Sequence, residues 1–488
     1  MKDLKERAIR GAAARLCVQA ASFMVRVFSL AVLARLLTPK DFGLVGMVTA
    51  FTGLLSLFRD FGLSAASIQR VTVTKEQTST LFWVNMLIGA ALTAIAVLLA
   101  PAVAHFYHEP RLFWITTVLA SSFLFNAAGI QHAALLQREM RFTALSIIDV
   151  GSLILGTTLA ICGAKAGFGY WALVGMTVTL PLVATIAFWL TTGWIPGMPN
   201  TAAGIRSMVR FGSTITLTGV VVYVASNFEK VLLGRFWGAD AIGLYGRAYQ
   251  LSRIPTDSLN SAIGEVAFSA LSRLQDDPVR LKSYFLKGYS LVLALTVPAT
   301  LACGTFADDM IHVLLGPRWK DAATIFQLLA PTILVFAIAN PLSWLVSSIG
   351  WVGRGLKMSL TIAPFMIVAY IIGLPYGPIG VASAYSVVMV LWIGPVVVWS
   401  IHRTVISFRD IQITVARPLV SGTVAVSLAL GVRLFAPQPC LLRLVLESSI
   451  LVIVYLAMLL YVMRQKLFYV DLLRGLLGRA SIRASTLA

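Results

Sequence analysis

The chain has 488 residues, of which 58% are hydrophobic and 12% charged, with a mean hydropathy of +0.86. An ordinary soluble domain carries about 25% charged residues, so a soluble fold is excluded. Lys and Arg number 39 against 20 Asp and Glu, a net charge of +19 that in a soluble protein would point to nucleic acid and here has to be read against a membrane.

Apolar runs near the roughly 20 residues that cross a bilayer core recur along nearly the whole chain. Backbone cannot be left unpaired in lipid, so these runs are read as helices. In chain order the predicted spans are 12–34, 41–59, 80–104, 112–133, 143–164, 168–192, 209–234, 240–266, 284–306, 322–349, 357–374, 378–401, 416–436 and 444–463. The fold class is therefore an all-α integral membrane protein with about 14 transmembrane helices. The basic start is interrupted by Arg15 and Arg26 and is read as a retained first span, not a removed signal.

Lys and Arg segregate to alternate loops, with 24 on the side of the N-terminus, 9 on the other and 6 within spans. Because positive loops stay in the cytoplasm, both termini are expected there. The last segment, 464–488, is a basic tail that either lies as a helix on an anionic leaflet or extends as a disordered strand of charge.

An internal duplication runs through this series. Residues 35–46 (RLLTPKDFGLVG) align without gaps on 235–246 (RFWGADAIGLYG), sharing Arg35/Arg235, Gly43/Gly243, Leu44/Leu244 and Gly46/Gly246. Residues 100–111 align on 307–318, sharing Ala100/Ala307, His105/His312, Pro110/Pro317 and Arg111/Arg318. Six spans per copy is an even number, so the copies share one orientation, as in parallel-repeat transporters where substrate binds between the halves. The resulting domains are a six-helix bundle over 1–200, a second over 201–410, two extra spans over 411–463 and the tail.

Charged residues inside spans carry the functional reading. Arg15, Gln19, Ser22, Arg26 and Ser29 share one face of the first span, and Arg247, Gln250, Arg253, Asp257 and Asn260 repeat the pattern in the eighth. A charge at bilayer depth costs at least about 2.5 kcal/mol, so it persists where it lines water or meets a counter-charge. Charges near span ends, such as Arg15 and Arg247, can instead snorkel to the interface, and Arg253 can pair with Asp257 four residues on. Asp149 in the fifth span is either a proton carrier or the partner of a basic residue in the cavity. Asp60, beside Arg59, is read as structural. Six prolines, at 255, 298, 331, 341, 364 and 395, kink spans of the second half.

Other chemistries find no support. The four cysteines are dispersed without a paired motif, the histidines offer no i, i+4 metal pair, and no phosphate-binding loop of the Walker type occurs, so no cofactor is expected.

ARLLTPKDFGLVGM at 34–47, FRDFGLSAASIQR at 58–70, EQTSTLFWVN at 76–85, ALLQREMRF at 134–142, GFGYWALV at 167–174, LLGRFWGADAIGLYGRAYQL at 232–251 and FSALSRLQDDPVRL at 268–281 together resemble the Wzx-type polysaccharide flippases, in particular the WzxC-like lipopolysaccharide and exopolysaccharide biosynthesis proteins. The resemblance covers about residues 15–410 and implies membership of the superfamily of multidrug exporters and peptidoglycan-precursor flippases. It implies a bacterial inner-membrane protein that is not an enzyme and that turns an undecaprenyl-diphosphate-linked oligosaccharide from the cytoplasmic to the outer leaflet. A polysaccharide polymerase and a chain-length regulator are the protein partners it suggests. Guanidinium groups grip phosphate oxygens bidentately, so Arg15, Arg26, Lys230, Arg247 and Arg253 are the candidate diphosphate residues, with Asp149 and Glu229 as candidates for ion coupling. Lys230 stands where the resemblance leads one to expect a neutral polar residue. The rival readings are a drug or metabolite exporter of the same superfamily and a membrane polymerase or glycosyltransferase; the basic spans argue against the first and the short noncytoplasmic loops against the second.

Overall fold

The computed structural model describes residues 21–59, 74–199, 206–435 and 439–469. Arg15, Gln19, Asp60 and most of the basic tail lie outside them. The described chain is helical throughout: α1 (21–36), α2 (Pro39–Ser56), α3 (Lys75–Tyr107), α4 (Arg111–Arg138), α5 (Phe142–Lys165), α6 (Tyr170–Thr192), α7 (Arg206–Ser272), α8 (Pro278–Thr305), α9 (Ala307–Leu314), α10 (Lys320–Ser348), α11 (Val352–Gly373), α12 (Gly377–Ile401), α13 (Phe408–Phe435) and α14 (Cys440–Ala457). A short π-helical turn, Met458–Val462, follows α14. Each of the fourteen expected segments coincides with helix within the described residues. Nine stretches among them are long and apolar enough to cross a membrane, one of which, Gly353–Ile401, contains both α11 and α12.

Local chemistry explains where the helices begin. Thr38 caps α2, accepting from the Asp41 amide at 3.3 Å while the Thr38 amide donates to Asp41 Oδ2 at 2.9 Å, and Pro39 occupies the first turn, where its missing N–H costs nothing. Thr74 with Gln77 and Ser407 with Asp410 repeat this reciprocal cap at α3 and α13. Such caps start helices outside the apolar run: α3 has 33 residues, about 50 Å of helix, well beyond a 30 Å hydrocarbon core.

The chain forms two compact units, Met1–Gly246 and Arg247–Ala488, a division that falls inside α7. In the first, α4 packs against α2, α3 and α6, and α5 against α6. Leu92 and Ala96 of α3 meet Ala120 and Phe123 of α4 in its buried core. In the second unit, Phe285, Tyr289 and Leu293 of α8 pack with Leu342 and Leu345 of α10 and Val397 of α12. A separate cluster of Phe306, Ala425, Ala429, Leu451 and Tyr455 holds α13 and α14 to it. Both units expose large aliphatic side chains, among them Leu98, Leu190, Leu391 and Ile453, as lipid-facing helices do.

The first unit contains a contact that follows the sequence repeat. α7 breaks at Gly238, whose φ of +80° suits glycine, and Thr38, the equivalent position 200 residues earlier, separates α1 from α2. Across the break the two copies meet reciprocally. A Cβ on Gly43 would lie 1.7 Å from the carbonyl oxygen of Ala239, and one on Gly243 would lie 1.9 Å from that of Pro39. Residues 39 and 239, like 43 and 243, are partners under the same offset, which is the signature of a local two-fold relation.

Candidate functional site

α1 and α5 bring two opposite charges together on the first unit. Arg26 and Asp149 are both exposed, and the Arg26 guanidinium acts electrostatically on the Asp149 carboxylate. Asp149 thus has a stripe arginine for a neighbour, which leaves both of its expected roles open. Ser29, one turn beyond Arg26 on the same face, is buried.

The part of α7 before its break holds the other acid. Tyr223 donates through its hydroxyl to the Thr49 or Ala50 carbonyl of α2, at 3.3 and 3.2 Å. Asn227 then donates to the Tyr223 carbonyl at 3.0 Å, and its side-chain oxygen accepts from Lys230 Nζ at 2.7 Å. Glu229 points elsewhere: it is 1% exposed, and beyond its own amide neither carboxylate oxygen has a hydrogen-bond partner among the described residues. Lys230 influences Glu229 through space, but its ammonium group is directed to Asn227. A buried carboxyl group left without partners is costly.

The second stripe begins the second unit. Arg247 donates to Gln250 on the same helix face. Arg253 makes a 2.9 Å ion pair with Asp257 and lies 3.9 Å over the Phe336 ring of α10. Asn260 accepts from Trp344 Nε1 at 2.9 Å, and Thr256, Asn260, Thr296 and Asn340 line a cavity of about 10 Å³, room for a single water-sized guest. The pair consumes one or two of the five guanidinium donors, leaving Arg253 able to hold a second oxyanion.

Three clusters were not anticipated. Arg59 donates to Asn126 Oδ1 of α4 at 3.1 Å. His132 is fully buried between Trp189 at 4.5 Å and Trp194 at 5.1 Å, ring to ring, and its Nδ1 lies 2.7 Å from Thr192 Oγ1. The segment after α6 is strapped to this cage, because Trp83 Nε1 donates to the Gly197 carbonyl at 2.8 Å and the Gly197 amide donates to Ser79 at 3.0 Å. In the second unit, Arg443 of α14 grips buried Asp309 of α9 with two donors, Nε at 2.9 Å among them, beside Cys440 and buried Glu447. Glu447 carried a legible signal, an acid inside an apolar run; Asp309 and His132 did not, since their partners are remote in sequence.

Comparison with known proteins places these features in context. Residues 32–324 match the family model described as polysaccharide biosynthesis protein. The chain is 26% identical over 396 residues to the lipopolysaccharide biosynthesis protein WzxC of Escherichia coli (strain K12), covering 80% of each chain. It is 26% identical over 320 residues to the teichuronic acid biosynthesis protein TuaB of Bacillus subtilis (strain 168), covering 65% of this chain and 66% of that one. Among solved structures it is similar to the lipid II flippase MurJ in an inward closed conformation, with a TM-score of 0.75 at 14% identity over 96% of this chain and all of the other. An inward-facing multidrug transporter of the MATE family gives a TM-score of 0.63 at 14% identity over 80% of this chain and 98% of that one. The helical membrane fold is therefore that of the MurJ and MATE transporters, and since the matched region spans more than half of the sequence, the chain belongs to the polysaccharide biosynthesis protein family.

Proposed function

We propose that this protein is a flippase that carries undecaprenyl-diphosphate-linked oligosaccharide repeat units from the cytoplasmic to the outer leaflet for O-antigen or exopolysaccharide assembly, without making or breaking a covalent bond. The observation that carries the reading is Arg26, exposed on α1 within the expected first span, with its counter-charge on a different helix. Two exposed opposite charges at membrane depth line water rather than lipid. A guanidinium whose acid is displaceable suits a diphosphate that must be bound and then released. Arg253, with Arg15, Arg247 and Lys230 in support, supplies the equivalent cationic surface.

The reciprocal contact of Gly43 with Ala239 and of Gly243 with Pro39 supports the parallel repeat, and with it fourteen spans, two six-helix bundles and both termini in the cytoplasm of a bacterial plasma membrane. By that orientation the contact lies at the outer end of the first unit. Glu229 is the coupling residue, being enclosed and unpaired where Asp149 has Arg26. A drug exporter for cationic substrates is disfavoured by the same arginines. A strain lacking the gene should accumulate intact lipid-linked repeat units accessible only from the cytoplasmic face. Loss of their synthesis would instead indicate an enzyme, and normal surface glycan would refute the flippase.

A further inference from the structure

At the end of the first unit where α3 turns into α4, a second basic site stands apart from the stripe residues. Tyr107 anchors it: the ring is buried, packs on Phe51 at 5.8 Å, and fits against Gly234 of α7, where a Cβ would approach to 2.5 Å. That anchor leaves His105, Phe106 and His108 exposed around it, with Arg235 following Gly234 directly. The imidazoles of His105 and His108 stack at 6.1 Å, and Arg235 Nη1 donates to His108 Nδ1 at 2.6 Å while the guanidinium lies 5.7 Å from the Phe106 ring.

The arrangement has the properties of an anion receptor. Accepting at Nδ1 makes His108 present Nε2–H outward as a donor. Arg235 meets no carboxylate among the described residues, since its contacts are His108 and Phe106. Glu109, which follows His108 in sequence, is engaged by Arg111 at 3.6 Å. α4 starts at Arg111 with no acidic residue or side-chain cap in its first turn, so the positive end of its dipole is not neutralised there. His108 itself adopts φ +57°, a left-handed conformation that glycine would hold more cheaply. Of the eight identities that define the repeat, three are Arg35/Arg235, His105/His312 and Arg111/Arg318, although Lys, Arg and His amount to only 39 plus 5 of 488 residues. The two copies thus share these three basic positions, whereas His108 stands opposite Leu315 and belongs to the first copy alone.

We propose that His105, His108 and Arg235 form a site for a lipid-borne phosphate in the outer leaflet. Exposed Phe106, Phe236 and Trp237 beside the cations favour an amphiphile at the membrane interface over a free ion, because aromatic rings of this kind sit at headgroup depth. The assignment to the outer leaflet rests on the proposed orientation, whereas binding is read on the purified protein and is independent of transport.

The test is native mass spectrometry of the full-length protein with added phosphatidylglycerol, phosphatidylcholine, farnesyl diphosphate or inorganic phosphate. One phosphatidylglycerol or farnesyl diphosphate should be retained in preference to phosphatidylcholine, and the tighter of the two identifies a phosphoglyceride or a polyprenyl diphosphate as the source. Arg235→Gln, and separately the double variant His105→Gln/His108→Gln, should each weaken retention about tenfold, the worth of a charge-assisted contact. Arg280→Gln, an exposed residue of the second unit, should leave it unchanged. Equal retention in all variants, or inorganic phosphate binding as tightly as the lipids, would overturn the proposal.

Discussion

Arg26 of α1 and Arg253 of α7 both fall in spans expected from the sequence, yet the first meets its acid on another helix and the second within a turn of its own. An i, i+4 pair forms wherever the helix forms, so Asp257 accompanies Arg253 in every conformation that keeps that turn. Asp149 accompanies Arg26 only while α1 and α5 keep their places. Arg253 is moreover pinned beneath Phe336, whereas Arg26 is exposed. The two stripes of one pattern thus offer different grips: one preorganised and partly neutralised, the other dependent on how the helices are arranged.

That contrast can be broken by substitution, and the effects should descend in a definite order. Arg26→Ala should abolish surface glycan while leaving membrane abundance normal, as judged by glycan staining against immunoblots; full display would remove this residue from the mechanism. Glu229→Gln should come next. It should uncouple glycan export from the ion gradient, measured as insensitivity to an ionophore, whereas Asp149→Asn should retain the dependence. The reverse ranking would move the coupling role to Asp149.

Smaller changes are expected around Arg253. Exposed ion pairs are worth about 0.2–1 kcal/mol, so Asp257→Asn should tighten diphosphate binding by no more than about fivefold in a competition assay. A loss of binding would mean that Asp257 positions the guanidinium. Phe336→Leu should be comparably mild, removing about 0.5–1 kcal/mol of cation–π attraction and weakening apparent affinity by no more than about fivefold.

Much of the fold was readable because bilayer thickness imposes a length on every apolar run. The run 80–104 located α3, but the helix extends to Lys75–Tyr107 because Thr74 and Gln77 cap it in water, beyond anything hydropathy senses. The break at residue 238 was readable as a loop, while the backbone contact it permits was not, since it depends on two segments meeting 200 residues apart. The site divides likewise. Arg253 with Asp257 follows from helical periodicity alone. Arg26 with Asp149, Asp309 with Arg443 and the cage around His132 join residues from separate helices, and only tertiary packing reveals them.

The central claim is that the arginine-bearing spans move a diphosphate lipid across the bilayer. Its most direct test is the transbilayer movement of a fluorescent undecaprenyl-diphosphate oligosaccharide in vesicles containing the purified protein, read by quenching from outside. Wild-type protein should equilibrate the label between leaflets under an ion gradient, and Arg26→Ala protein should leave it no faster than in protein-free vesicles. Equal rates for the two proteins, or no movement with wild-type protein, would contradict the account.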